Sequence, residues 1–168
     1  METAITALLV IGILILSILG LSERSIAAQA TISEASRLLQ ERAGDRARTD
    51  LTPLGVTTTP LGDYVEVRLK NTGDTKLADF DQWDVIMQYT DGLGGYHVQW
   101  YGYPIDWTQQ IYLAASPPTA EVFEPGIFNP GEELVLRVRV SPGVGSNTTN
   151  LATVGSPNGI TATAVFTR

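Results

Sequence analysis

The longest uncharged stretch of the chain runs for 20 residues, from Thr3 to Ser22. As an α-helix at about 1.5 Å per residue it would be roughly 30 Å long, the thickness of the hydrocarbon core of a bilayer. No basic segment precedes this run and no Ala-x-Ala site closes it, so we do not expect a secretory signal peptide. A lone membrane anchor and the first part of a longer helix both remain open.

The helical pattern continues past Glu23, because good helix formers dominate residues 23–43 and no proline occurs before Pro53. Apolar or small residues recur three and four positions apart, which is coiled-coil spacing. This stripe comprises Ile11, Leu14, Ile18, Leu21, Ser25, Ala28, Ile32, Ala35 and Leu39, and all but Ser25 are predicted core positions of a helical bundle. We predict one helix from Glu2 to about Ala43, apolar all round in its first half and amphipathic in its second. Its expected stop is Gly44-Asp45.

From Leu51 onward, apolar and polar residues alternate as in strands with one buried face. Strands are predicted at 64–70, 83–89 and 133–140, and others near 96–103, 110–113 and 159–167. Asn129-Pro130-Gly131-Glu132 fits a type II turn, with Gly131 supplying a positive φ. About seven strands of this kind describe an antiparallel, immunoglobulin-like β-sandwich. The predicted fold class is therefore α+β, with a helical domain at 1–48 and a β-sandwich head at 49–168.

Most of the negative charge lies in the head. Residues 51–168 carry 12 acidic and 6 basic side chains, a net charge of −6 out of −7 for the whole chain. This balance argues against nucleic acid as a partner, because the head cannot neutralise a row of phosphates. The chain has no cysteine, which excludes disulfides and thiolate metal sites.

The sequence gives little support for an enzyme. It contains one histidine, His97, and no P-loop, Gly-x-Ser-x-Gly or His-Glu-x-x-His motif, so we expect no catalytic residue and no cofactor. An acidic group supplies the oxygen ligands that calcium prefers, but its spacing fits no EF-hand loop. These residues are Asp79, Asp81, Asp84 and Asp91, and a solvated acidic loop is the simpler interpretation.

Two surface features bear on assembly. Asn147-Thr148-Thr149 is an N-glycosylation sequon in a polar loop, which makes Asn147 the candidate glycosylation site. An aromatic group surrounds Pro104 and has two open interpretations, a lid on the core of the head or contacts between subunits. The predicted inter-subunit residues are Trp100, Tyr101, Tyr103 and Trp107.

An apolar N-terminal helix followed by an all-β head resembles the type IV filament superfamily, and within it the archaellins, the archaeal-type flagellins. The motifs that carry this resemblance are the segments 65–73, 83–86, 128–132 and 159–164, together with the helix. One departure concerns the start of the helix. Bacterial pilins usually carry glutamate at position 5, whereas this chain has Ile5 and its early acid is Glu2.

The resemblance implies a structural subunit of an archaellum-type helical filament used for swimming, with no catalytic activity. It implies a membrane-inserted precursor, cleavage by a prepilin-type peptidase, and assembly by a membrane platform and motor into an extracellular homopolymer. Helices would form the filament core and heads its outer sheath. Two alternatives remain, an adhesive type IV pilin and a membrane-anchored, stator-like module that binds the cell-surface layer.

Overall fold

The computed structural model describes residues 2–113 and 119–168, and within these ranges the side chains of 2–4, 6 and 18–28 are not described. One helix is followed by antiparallel strands, which confirms the predicted α+β class. The helix, α1, spans Glu2–Arg48. The strands are β1 (Leu51–Thr58), β2 (Tyr64–Asn71), β3 (Asp84–Thr90), β4 (Tyr96–Tyr101), β5 (Trp107–Leu113), β6 (Thr119–Ala120), β7 (Glu133–Arg139), β8 (Thr149–Gly155) and β9 (Thr161–Thr167), with a 3-10 helix at Phe80–Gln82.

The helix ends at Arg48, beyond the predicted stop at Gly44-Asp45. Gly44 does not have the left-handed φ of a helix-ending glycine. Carbonyl oxygens of the final turn have other hydrogen-bond partners instead. The Thr49 hydroxyl donates to the carbonyl oxygen of Asp45 at 2.7 Å, and the Asp74 amide donates to the carbonyl oxygen of Arg48 at 2.8 Å. Two basic side chains in this turn also suit the negative end of the helix dipole.

The chain divides into two compact units, Met1–Ala43 and Gly44–Arg168. The last turn of α1 therefore belongs with the head, and the division falls five residues before the predicted boundary after residue 48.

Two antiparallel sheets form the head. One has the strand order β1-β2-β7-β5-β6 and the other has the order β4-β3-β8-β9. The centre of the first sheet pairs β2 with β7, so that Val65 lies opposite Val138 and Leu69 opposite Leu134. The alternation predicted for these two strands is confirmed, because their inward side chains are at most 1% exposed: Val65, Val67, Leu69, Leu134, Leu136 and Val138.

The core between the sheets also contains Trp83, Trp107 and Phe128, all nearly fully buried. Asn71 is buried beside them and is fully hydrogen-bonded. Its amide nitrogen donates to the carbonyl oxygens of Thr75 at 2.8 Å and Phe128 at 3.1 Å, and its Oδ1 accepts from the Gly73 amide at 3.2 Å. This polar side chain fixes the connection that leaves β2.

Two glycines are required by the local backbone. Gly131 has φ 86°, and the Glu132 amide donates to the Asn129 carbonyl oxygen at 3.2 Å, which agrees with the turn predicted there. Gly73 lies so close to the chain entering β1 that a Cβ would be 2.4 Å from both the Arg48 carbonyl oxygen and the Asp50 amide. No larger residue fits at Gly73 without moving that entry.

The predicted membrane-inserted precursor depends on the uncharged run 3–22. Over the part of the chain that the structure describes, no helix is both long and apolar enough to cross a membrane.

Candidate assembly surfaces

The first half of α1 exposes apolar side chains on every side. Nine large ones among the described residues are 52–75% exposed: Ile5, Leu8, Leu9, Val10, Ile11, Ile13, Leu14, Ile15 and Leu16. Consecutive residues on a helix point about 100° apart, so this run leaves no polar face. A surface of this kind is stable in water only when something apolar covers it.

The second half of α1 has an apolar side and a polar side. The stripe residues Ile32, Ala35 and Leu39 are exposed. Elsewhere on the same segment, Arg37 forms ion pairs with Glu34 at 3.0 Å and Glu41 at 3.3 Å. The predicted amphipathic pattern therefore holds over these described positions, whereas the side chains of the stripe residues Ile18, Leu21 and Ala28 lie outside the described residues.

The structure separates the four predicted inter-subunit aromatic residues. Trp107 and Tyr101 are 1% and 6% exposed and belong to the core, and Tyr103 packs partly buried against it. Trp107 and Tyr101 are therefore unavailable to a neighbouring subunit, whereas inter-subunit contact by the partly buried Tyr103 stays a prediction. Rings of Tyr103 and Trp107 lie 4.9 Å apart, and Trp107 Nε1 donates to the Tyr101 carbonyl oxygen at 3.1 Å. Trp100, 60% exposed, is the most exposed of the four and stays available to a neighbour.

The four candidate cation ligands do not form one site. Asp79 and Asp81 lie at the 3-10 helix and Asp84 begins β3, but Asp91 lies beyond the other end of that seven-residue strand, roughly 23 Å away. Asp84 Oδ1 instead accepts from Trp100 Nε1 at 2.9 Å. Among the described residues, no group of three or more histidine, cysteine or acidic side chains is arranged to hold a metal ion.

Asp91 organises the turn between β3 and β4. Its Oδ1 accepts from the amides of Leu93 and Gly95, both at 2.8 Å, and its Oδ2 lies 2.9 Å from His97 Nε2. The hydrogen bond with His97, followed by those of the two amides, lowers the pKa of the Asp91 carboxyl. His97 also stacks on Tyr89, with ring centroids 5.1 Å apart. These contacts give His97 a structural role in the turn.

The candidate glycosylation residue Asn147 lies in the loop between β7 and β8. It is exposed, with φ 59°, and its amide donates to the Arg168 carbonyl oxygen at 2.7 Å. Thr149, the third residue of the sequon, is exposed as well. The geometry leaves room for a sugar, and glycosylation at Asn147 stays a prediction.

The outer surface of the β4-β3-β8-β9 sheet is almost free of charge. We call it the uncharged face, and its outward side chains are Tyr96, Val98, Trp100, Ile86, Gln88, Thr90, Thr149, Leu151, Thr153, Thr161, Thr163, Val165 and Thr167. Of the charged side chains on these four described strands, only Asp84 points outward with them. Of the four aromatic residues predicted to contact other subunits, only Trp100 lies on this face. Alternation along the sequence shows that Trp100 and Tyr101 point oppositely, but not which one points inward.

No family model matches the chain, and no curated protein matches it in sequence. The chain does match solved structures. The chain is similar to the archaeal flagellum of Methanospirillum hungatei strain JF1, with 13% identity, a TM-score of 0.62, and coverage of 96% of this chain and 90% of that one.

It is also similar to the archaellum periplasmic stator protein FlaG from Sulfolobus acidocaldarius, with 21% identity, a TM-score of 0.52, and coverage of 70% of this chain and 99% of that one. The FlaF and FlaG stator complex from the same organism matches at 21% identity and a TM-score of 0.51, over 69% of this chain and 87% of that one. Identities this low establish the fold. These three solved structures are components of the archaellum, and the chain has their fold.

Proposed function

We propose that the chain is a non-catalytic structural subunit of an archaellum-type helical surface filament that serves swimming. The single observation that carries this proposal is the uncovered helix, whose first half presents large apolar side chains on all sides. In this proposal residues 1–48 form the filament core and residues 49–168 form its outer sheath. Copies of the same helix are the partners that cover it.

The magnitude of this burial supports assembly. Complete burial of a leucine, isoleucine or valine side chain contributes roughly 1.5–3 kcal/mol, and nine such side chains are more than half exposed. Covering them contributes on the order of 10 kcal/mol per subunit before the cost of association is subtracted. The stripe at Ile32, Ala35 and Leu39 extends the same contact toward the head.

The extent of the structural matches also supports a filament subunit. The archaeal flagellum structure matches 96% of this chain, which includes nearly all of the helix as well as the head. The FlaG structure is covered to 99% of its own length by only 70% of this chain, about the share of the head. A filament subunit needs both the helix and the head, and the match to the archaeal flagellum structure covers both.

A stator-like protein at the cell surface is the second candidate. One observation favours it, the higher sequence identity of 21% to FlaG against 13% to the flagellum structure. In that case the head would bind the cell-surface layer and the helix would serve as its anchor. The adhesive type IV pilin shares the assembly of the first candidate and differs only in its purpose.

The proposal includes the route to the surface. Before assembly the uncharged run 3–22 needs an apolar environment, and we expect a membrane to supply it. A prepilin-type peptidase and a membrane platform with its motor would then process and assemble the subunit. Asn147, exposed in its loop, is the site where we expect a sugar, and the intact mass of the mature protein before and after Asn147→Gln tests this.

Electron microscopy of material sheared from the cell surface tests the function. We expect filaments in which mass spectrometry identifies this chain as the main component, and we expect deletion of its gene to remove both the filaments and swimming. Filaments that persist without the chain would support the stator-like candidate. Loss of filaments with normal swimming would support the adhesive pilin.

A further inference from the structure

No described residue of the head covers the uncharged face. Strand β4 lies at the edge of its sheet, and its outward side chains Tyr96, Val98 and Trp100 are all exposed. Val165 is exposed on the other edge strand, β9, and Leu151 and Ile86 lie between them. A continuous apolar and hydroxyl surface with an open, hydrophobic edge strand is typical of an interaction site.

The charges of the head point to this face as the place where copies meet. Residues 51–168 of each head carry a net charge of −6, so two copies repel one another wherever their carboxylates approach. The outer side of the other sheet is charged, with Arg68, Lys70, Arg137 and Arg139 beside Glu66 and Glu133. The uncharged face carries only Asp84 in the described strands, and that carboxylate is occupied by Trp100 Nε1. Away from Asp84, which lies at the start of β3, copies can therefore bury this face without burying a charge.

A second apolar surface lies on the loop between β6 and β7. Phe123 is 93% exposed and the adjacent Val122 is exposed too, so neither side chain is covered by the described residues of its own head. Hydrogen bonds shape the loop that presents them: Glu121 Oε1 accepts from the amides of Phe123 at 2.6 Å and Glu124 at 3.2 Å. Glu124 Oε2 in turn binds Lys76 Nζ at 3.3 Å. Both flanking carboxylates are thus hydrogen-bonded within the head.

A helical polymer needs two different, complementary surfaces on each subunit, because its contacts run head to tail and do not close. The uncharged face is one of these two surfaces, and the Val122-Phe123 pair is the other. Four strands about 4.8 Å apart and about 20 Å long give the face roughly 400 Å², half of what each partner buries in a stable interface of standard size. That area holds a free partner weakly, but it suffices between copies that their packed helices already hold close together.

We propose that the uncharged face of one head receives the Val122-Phe123 pair of a neighbouring copy, as the contact between heads in the filament. This inference rests on the proposed filament function. Phe123 packs against the aromatic row on β4, and the repeated contact joins successive heads of the outer sheath.

The unmodified chain offers one test, because the exposures of its three tryptophans differ. Trp83 and Trp107 are 1% exposed and Trp100 is 60% exposed, so acrylamide quenches Trp100 alone in the free subunit. We expect the quenching constant to fall several-fold when subunits assemble into filaments. A quenching constant unchanged in intact filaments overturns the contact at this face, while the filaments themselves still uphold the proposed function.

Thiol crosslinking identifies the partner surface, and the chain provides a clean background because it has no cysteine. In filaments of the double variant Val98→Cys/Phe123→Cys, a short bifunctional maleimide should produce a ladder of covalent multimers. The matched control Leu93→Cys/Phe123→Cys, with a 98% exposed turn residue outside the face, should produce none. Dimers from Val98→Cys alone would show two faces meeting each other and overturn the proposal. A shielded Trp100 without the ladder would overturn the role of Phe123.

Discussion

Replacing Leu14 with glutamate should abolish assembly without unfolding the head. Leu14 lies in the stripe, on the part of α1 that is apolar all round, and its side chain is 55% exposed in the single chain. In the proposed filament that exposed part faces other helices. The substitution removes an apolar contact from every subunit and places a carboxylate in an environment without water.

The cost follows from two terms. Complete burial of leucine contributes about 2.5 kcal/mol, so covering 55% of it contributes about 1.4 kcal/mol, a tenfold effect on the critical concentration. Neutralising a glutamate of pKa about 4.3 at pH 7 costs about 3.7 kcal/mol more. The sum of about 5 kcal/mol corresponds to several thousand-fold weaker assembly, whereas the uncharged Leu14→Gln should stay much closer to the first term alone.

The amount of filament in sheared surface material measures this effect in cells whose only copy is the variant. Gln40→Glu is the matched control, because it adds the same charge to α1 at an exposed position outside the stripe and should assemble normally. All three tryptophans of the chain lie in the head, so their fluorescence checks that the head remains folded. Normal amounts of filament from Leu14→Glu would refute the bundled helical core.

Three further predictions concern the head itself. Asn71→Asp should lower the free energy of unfolding in denaturant by about 3 kcal/mol, because a carboxylate cannot donate to the buried carbonyl oxygens of Thr75 and Phe128, and a loss below about 1 kcal/mol would contradict this role. Gly73→Ala should also destabilise the head, by about 1–3 kcal/mol, since its Cβ would meet backbone atoms at 2.4 Å. The folded state lowers the pKa of Asp91, so its contribution is present above about pH 4 and is lost as the pH falls through the folded-state pKa. The difference in melting temperature between the unmodified chain and Asp91→Asn should therefore shrink below about pH 4, and a difference constant down to pH 2 would argue against this account.

The sequence predicts strands best where one face is purely apolar. Strands β2 and β7 are of this kind, whereas β8 places Asn150 and Ala152 inward and has no apolar alternation. Asn150 is buried because its Oδ1 accepts from the Thr90 amide at 3.1 Å, a tertiary contact that local pattern cannot show. Strand β1 escapes prediction because Pro53 and Gly55 interrupt it, and the structure accommodates them at the sheet edge with a shift of register.

The candidate surfaces are predictable to different degrees. The exposed apolar helix follows from composition, because a helix that is apolar on every side needs apolar neighbours all round, and this short chain has only one small head besides the helix. The aromatic cluster depends on sheet register, which pairs Tyr101 with Val85 and turns Tyr101 inward while Trp100 faces out. Nothing in the sequence distinguishes Phe123, since an aromatic residue in a loop resembles any core residue until its exposure is known.

The junction between helix and head has a practical consequence for anyone who wants the head in isolation. A head fragment cut where the helix ends, after Arg48, would lose the carbonyl oxygen that accepts from the Asp74 amide. The next contact, from Asn158 Nδ2 to Thr49 Oγ1 at 3.0 Å, would then be held only by a frayed terminus. Gly44 is the better first residue, because the turn it begins carries the hydrogen bonds that seal the edge of the head. Here the boundary of a secondary-structure element and the boundary of a folding unit are different places in the chain.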